Sequence, residues 1–250
     1  MFQRSARTPL ILVYRAVDRI TRNAARDADR DAVPDAARDL LRQTVGPALF
    51  ERQMDWLHRN GLRGVSVSEL RQAHRAGRAR GLVGLTFDCG YATFATRAAP
   101  VLLRRGFTAT VFVPAARIGG HEDRDAGGGR PLLTERQIRC VAGKGMEIGS
   151  HGLHHVPLSD LEEEELVDEL SRARALLEEI TGRSVTGFAY PWGQVSSREV
   201  TAVRKAGYEY ACTIGRTPFD GDHALPRTRI GPRDGRVGLR VKVLRHQLRL

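Results

Sequence analysis

Short apolar runs alternate along this chain with longer stretches in which apolar residues recur every three or four positions. Residues 10–14, Leu-Ile-Leu-Val-Tyr, form an unbroken branched and aromatic run, which predicts a buried strand. Phe50, Met54 and Leu57 share one helical face, and Gly61 stops that helix. Val65 and Val67 start a short strand, and Ser68 is placed to cap a helix from Glu69 to Ala76. Residues 82–87 read as a strand, 91–105 as the helix after it, and 108–113 as the next strand. Thr134 caps a helix reaching Gly143, and a short strand over 146–148 follows. The clearest helix covers 161–180: Leu161, Leu166, Leu170, Ala173, Leu177 and Ile180 fall on one face, a run of glutamates forms a solvated face opposite, and Gly182 ends it. A strand over 185–190 breaks at Pro191, a helix opens at Ser196-Ser197, and 208–214 is a further strand.

Strands and helices alternating at this cadence predict a parallel α/β fold in one domain spanning residues 1–250. In barrels of that kind the chemistry sits at the C-terminal strand ends, here Asp88-Cys89, His151, Pro191-Trp192 and Pro226-Arg227. Residues 18–43 are charged and Ala-rich and read as an insertion. Residues 117–131 read as a Gly-rich surface loop, long enough to suggest a functional role, and 231–250 as a basic tail ending in a helix.

Composition narrows the function. No apolar run approaches the ~18 residues of a membrane span, and the N-terminal apolar stretch is too short for a signal peptide, so the sequence predicts a cytoplasmic protein. Cys89, Cys140 and Cys212 are widely spaced, which argues against a disulfide framework; Cys140 and Cys212 read as small core residues. The net charge of +11 invites a nucleic-acid reading, but the arginines are scattered with no aromatic-interleaved patch, so nucleic acid is disfavoured and an anionic substrate fits better.

The candidate chemistry lies in two segments. Leu85-Thr86-Phe87-Asp88-Cys89-Gly90-Tyr91 sets a carboxylate beside a thiol at the end of an apolar run. Ser150-His151-Gly152-Leu153-His154-His155 sets His151 and His155 four positions apart, where two imidazoles can meet one ion. Cys89 supplies a third ligand that suits Zn²⁺, with another divalent cation as the alternative. Asp88 beside it can take a proton from an activated water. A bound Zn²⁺ lowers the pKa of its water to about 7, which is what amide hydrolysis at neutral pH requires.

These segments resemble the polysaccharide deacetylase family, the chitooligosaccharide deacetylase-like carbohydrate esterases. Residues 85–91 look like the family's TFDDGY motif and residues 150–155 match its SHxxxH motif. Phe188-Ala189-Tyr190-Pro191-Trp192-Gly193 resembles its FAYPYG motif. The resemblance covers most of the chain from Leu10 to about Ile230. It implies a deformed, incomplete (β/α) barrel and metal-dependent N-deacetylation of acetylated amino sugars. Asp88 aligns with the catalytic base, and His151 and His155 with the histidine ligands. Trp192 would offer its backbone N–H to the oxyanion, Tyr190 and Trp192 would wall the acyl pocket, and Tyr91 and Pro191 belong to the same substrate-facing set.

The departures are as informative. The family's second Asp, a metal ligand, is Cys89 here. Either the site becomes Cys-His-His, or metal binding weakens and catalysis is lost; a nucleophilic Cys89 is a third option. The Arg that tethers the catalytic Asp from the third motif is replaced by Ala189, and Arg227 is the candidate to take over its charge. A His that the related branch carries after Tyr14 is Arg15 here, and no clear general-acid His is present; Leu244-Arg245-His246 has the spacing but lies in the terminal helix. The reading is therefore a zinc-dependent hydrolase acting on a small N-acylated sugar or sugar-containing metabolite. The alternative is a catalytically silent relative that binds carbohydrate or protein.

Overall fold

The computed structural model describes residues 9–19, 42–122, 129–193 and 195–248. The chain enters on β1 (Ile11–Tyr14) and forms a small parallel pair, β2 (Ala16–Val17) with β3 (Thr44–Val45). It then runs through α1 (Pro47–Arg59), β4 (Arg63–Val65), α2 (Val67–Arg75) and β5 (Leu82–Phe87). A π-helical turn, Phe94–Ala98, leads into the short α3 (Ala99–Leu103). Thereafter β6 (Thr110–Val113), α4 (Glu135–Gly143), β7 (Glu147–Ser150), α5 (Glu163–Thr181), β8 (Gly187–Ala189), α6 (Ser197–Lys205) and β9 (Tyr210–Ile214) alternate. β10 (Leu225–Arg229) and α7 (Arg236–Leu248) follow. The insertion read at 18–43 falls mostly outside the described residues.

β1 pairs with both β5 and β10, and β5 through β10 pair in succession, so seven parallel strands close a (β/α) barrel. The ring is one strand short of eight; β4 joins it beside the start of β5. No helix among the described residues is long and apolar enough to cross a membrane.

The interior is narrow, and glycines make room for its rings. A Cβ on Gly187 would come within 2.2 Å of the Tyr210 ring, and one on Gly149 within 2.5 Å of Phe112. α2 plugs the N-terminal end of the barrel. There the Glu147 carboxylate accepts hydrogen bonds from Ser68, Thr110 (2.6 Å) and Tyr210 (2.8 Å), which satisfies a cluster of polar groups deep in the fold. Ser68 is thereby engaged elsewhere, and Ser66 caps α2 by accepting from Glu69 N. The larger apolar layer lies outside the ring, where α5 buries Leu166, Leu170, Ala173 and Leu177. Gly182 ends α5 in the left-handed conformation, φ 62°. Cys212 is buried, but Cys140 is exposed on α4 rather than part of the core.

Candidate active site

The polar groups collect at the C-terminal ends of the strands. Asp88 and Cys89 follow β5, His151 follows β7, and Trp192 lies just beyond β8. Asp88, Cys89, His151, His155 and Trp192 line one cavity of about 80 Å³. A cavity of about 150 Å³ takes a benzene ring, so the smaller one here suits a smaller group such as an acetyl.

Three donor atoms, one each from Cys89, His151 and His155, lie within 4.8 Å of one another. The Cys89 Sγ and His155 Nε2 are 3.8 Å apart. Two ligands of a tetrahedral zinc, at about 2.3 Å for sulfur and about 2.0–2.1 Å for nitrogen, would be separated by roughly 3.5 Å. The donor set therefore fits a zinc-sized ion with small adjustments.

Its orientation is fixed from outside. His151 Nδ1 lies 2.7 Å from the Ala189 carbonyl. A carbonyl can only accept, so Nδ1 carries the proton and Nε2 keeps its lone pair for a metal. His155 is reached through a loop gripped by Glu169, whose Oε1 accepts from Leu153 N and His154 N, each at 2.8 Å, while Oε2 takes His154 Nδ1 at 2.9 Å. His154 points away, with its side chain 60% exposed.

Backbone strain concentrates at the same place. Among the described residues, the non-glycine positions with positive φ are Cys89 (65°), His155 (64°) and Trp192 (61°), and all three line the cavity. Such conformations cost about 1–3 kcal/mol each and persist where the surroundings force them.

Asp88 is held by Arg227, whose Nη1 and Nη2 donate to its two oxygens at 2.6 and 3.0 Å. Arg227 is itself anchored by Thr213 O and Thr86 Oγ1 and lies over the Phe112 ring. Burial raises the Asp88 pKa, but Arg227, His151 and Arg15 together outweigh it, so the carboxyl stays below its ordinary range. Burial pushes the Cys89 thiol up to about 12, although Arg15 counteracts it. A coordinated metal would reverse that, because coordination deprotonates a thiol outright. Burial, then His151, pushes His155 down to about 2, which keeps it neutral as a ligand must be.

Other residues of the expected substrate-facing set lie elsewhere. Tyr190 and Pro191 are buried and do not line the cavity. Side chains alternate along β8: Ala189 faces the barrel interior, while Phe188 and Tyr190 meet edge to face in the outer layer. The Tyr190 hydroxyl donates to His223 O at 3.0 Å. Tyr91 is also buried, its hydroxyl bonded to Glu122. Arg227 acts beneath the cavity, through Asp88. Sequence reasoning assigned no role to Arg15, which lines the cavity and pairs with Glu122 at 3.2 Å. Its position directly after β1, at a strand end, was the available signal. Glu169 was hidden in the glutamate run that reads as solvated; it is 4% exposed.

A family model described as polysaccharide deacetylase matches residues 76–211. The Bacillus subtilis protein YxkH, named as a polysaccharide deacetylase, is 31% identical over 188 residues, which cover 73% of this chain and 64% of that protein. A poly-beta-1,6-N-acetyl-D-glucosamine N-deacetylase of Staphylococcus aureus is 22% identical over 74% of the chain and 67% of its own length. The chain thus spans about two thirds of these relatives. The fold is similar to that of a Streptococcus pyogenes deacetylase, PplD, solved with acetate, with a TM-score of 0.78 and 22% identity over 94% of this chain and 97% of that one. It is also similar to IcaB from Ammonifex degensii, with a TM-score of 0.73 and 22% identity over 95% and 96% of the two chains.

Proposed function

The chain belongs to the polysaccharide deacetylase family, and we propose that within it this protein is a zinc-dependent hydrolase that removes an acetyl group from the amine of an N-acetylated amino sugar. The observation that carries this reading is the meeting of Asp88 with the Cys89, His151 and His155 donor atoms in one acetyl-sized cavity.

Cys89, His151 and His155 would hold the ion as a thiolate and two neutral imidazoles. When bound, zinc would lower the pKa of a coordinated water to about 7 and polarise the acyl carbonyl. Asp88 accepts the proton of the attacking water. Arg227 occupies one acceptor direction on each Asp88 oxygen, and a carboxylate has further lone pairs free for this transfer. The same carboxyl then returns the proton to the departing amine, which removes the need for a separate histidine acid. The Trp192 N–H, displayed by its left-handed backbone, donates to the oxyanion, and the exposed Trp192 ring offers the sugar a flat face at the mouth.

The cavity takes the acyl group and leaves the sugar outside, so the geometry suits a residue within a glycan as well as a free sugar. The test is zinc content per chain together with amine release from N-acetylglucosamine oligomers, on wild type, Cys89→Ala and Asp88→Asn. Stoichiometric zinc and turnover in wild type, zinc without turnover in Asp88→Asn, and loss of both in Cys89→Ala are expected. A wild-type protein that binds zinc but releases no amine from any acylated sugar would favour the silent, binding-only alternative.

A further inference from the structure

Helix α7, Arg236–Leu248, carries two apolar faces. Leu239 and Val243 are buried, 0% and 2% exposed, on the side that packs toward α1. On the opposite side Val237, Val241 and Leu244 are 75%, 38% and 40% exposed. Their spacing of four and then three residues sets them in one stripe along the helix. Three of the six large apolar side chains exposed among the described residues therefore lie within eight positions of one helix.

The charge around that stripe is of one sign. Arg240 and Arg245 are exposed on its two flanks, about 60–70° to either side at 100° per residue. Lys242 lies further round and is tied back to Asp234 and Arg229 O. The helix sequence holds four Lys or Arg and no acidic residue.

We propose that the outer face of α7 docks on an anionic lipid surface, with Val237, Val241 and Leu244 entering the boundary between headgroups and acyl chains and Arg240 and Arg245 meeting lipid phosphates. The pattern is that of a helix lying in the interface plane: an apolar stripe flanked by cations whose long stems let the charge stay at headgroup level. Charge complementarity selects this occupant over a second copy of the chain. A two-fold contact through this face would bring the same arginines together, and like charges juxtaposed at an interface are strongly disfavoured.

The whole chain carries a net charge of +11, so diffuse attraction must be separated from docking by α7. The experiment is flotation of the full chain with vesicles of phosphatidylcholine alone and of phosphatidylcholine with phosphatidylglycerol, at physiological salt. Binding is expected only to the phosphatidylglycerol vesicles. Val241→Ser with Leu244→Ser changes no charge and should weaken binding about tenfold. Arg78→Gln with Arg80→Gln, which removes two exposed cations from the turn before β5, should leave it within about twofold. Circular dichroism verifies that each variant is folded. Absence of binding to anionic vesicles overturns the proposal, and so does equal binding by wild type and Val241→Ser/Leu244→Ser. A monomer–dimer equilibrium in wild type that the same double substitution abolishes, measured by sedimentation without lipid, would assign the face to a second copy instead.

Discussion

Arg227 grips Asp88 with two hydrogen bonds, Nη1 to Oδ1 at 2.6 Å and Nη2 to Oδ2 at 3.0 Å, across 139 residues of sequence. The side chain of Arg227 is fully buried and that of Asp88 nearly so. The pair does two things at once. It fixes the carboxylate plane beneath the cavity, and it keeps the carboxyl ionised in surroundings that would otherwise favour its protonated form. A tethering arginine thus comes from β10 where residue 189, at the end of β8, is alanine.

Removing one partner of a buried ion pair strands the other. Arg227→Met should therefore destabilise the protein by about 3–5 kcal/mol, read as a lower denaturant midpoint. Arg227→Lys keeps the charge but loses the planar two-point grip. It should fold while losing about a hundredfold in kcat/KM, the scale of a misplaced reacting group. Wild-type activity in a folded Arg227→Lys variant would show that Asp88 needs no such orientation.

Acid should weaken the metal-free protein in two windows. His155 has an ordinary pKa of 6.5 and is pushed down to about 2 in the fold, so the unfolded chain takes up a proton first. Stability is complete above about 6.5 and declines as the pH falls toward the folded value. His151 is shifted in the same direction and adds to the loss. Asp88 contributes later: its stabilisation is full above its ordinary 3.8 and disappears as the pH falls through its lower folded value. Thermal melts of metal-free wild type from pH 8 downward should show a decline beginning near 6.5, and His155→Gln should reduce that decline. Added zinc should raise every melting temperature yet steepen the decline, because the zinc-bound fold carries fewer protons than the metal-free one, the Cys89 thiol proton included.

Substitution at Cys89 separates the role of the thiolate from that of charge. Cys89→Ala should lower zinc affinity by more than about a hundredfold, since loss of even an outer-shell partner reaches that scale. Cys89→Asp keeps the charge but offers a hard oxygen, and should shift selectivity from zinc toward manganese or magnesium. Competitive metal titration, with the cobalt form examined for a sulfur-to-metal absorption band, distinguishes the variants. A band that persists in Cys89→Ala would exclude Cys89 as its source.

The strand ends were legible because each ends an apolar run at a polar residue, and that rule placed Asp88, Cys89 and His151 on one rim. What escaped depends on partners distant in sequence. Ser68 reads as the cap of α2, but Glu147, 79 residues on, takes Ser68, and Ser66 caps the helix instead. The apolar periodicity of 91–105 reads as one regular helix, but Pro100 lacks the N–H that would bond to Thr96. The turn before it widens instead, with Ala99 N donating to Phe94 O. Tyr190 looks substrate-facing in the motif string, yet the alternation along β8 turns it outward. Motif reading marks Arg15 only as the place of a missing histidine and passes over Glu169, because each matters through a contact formed only when the barrel closes.

Glu169 offers the sharpest separation of support from ligation. It touches no metal donor, yet its carboxylate holds the backbone N–H groups of Leu153 and His154, and through them the left-handed turn that presents His155. Gly152 is part of the same fit, for a Cβ there would lie 2.7 Å from Glu169 Oε1. Glu169→Ala leaves two donors without their acceptor, at about 1–3 kcal/mol for each that stays buried, and frees the loop. Glu169→Gln keeps an amide oxygen for those N–H groups while removing the charge that meets His154. Zinc affinity should therefore fall about ten- to a hundredfold in Glu169→Ala, the range found when outer-shell support is lost, and far less in Glu169→Gln. Gly152→Ala should resemble Glu169→Ala, because it forces the carboxylate away and strains a position at φ 81°. Zinc affinity unchanged in Glu169→Ala would mean that His155 is held by its own packing against Trp192, whose ring centroid is 5.4 Å away.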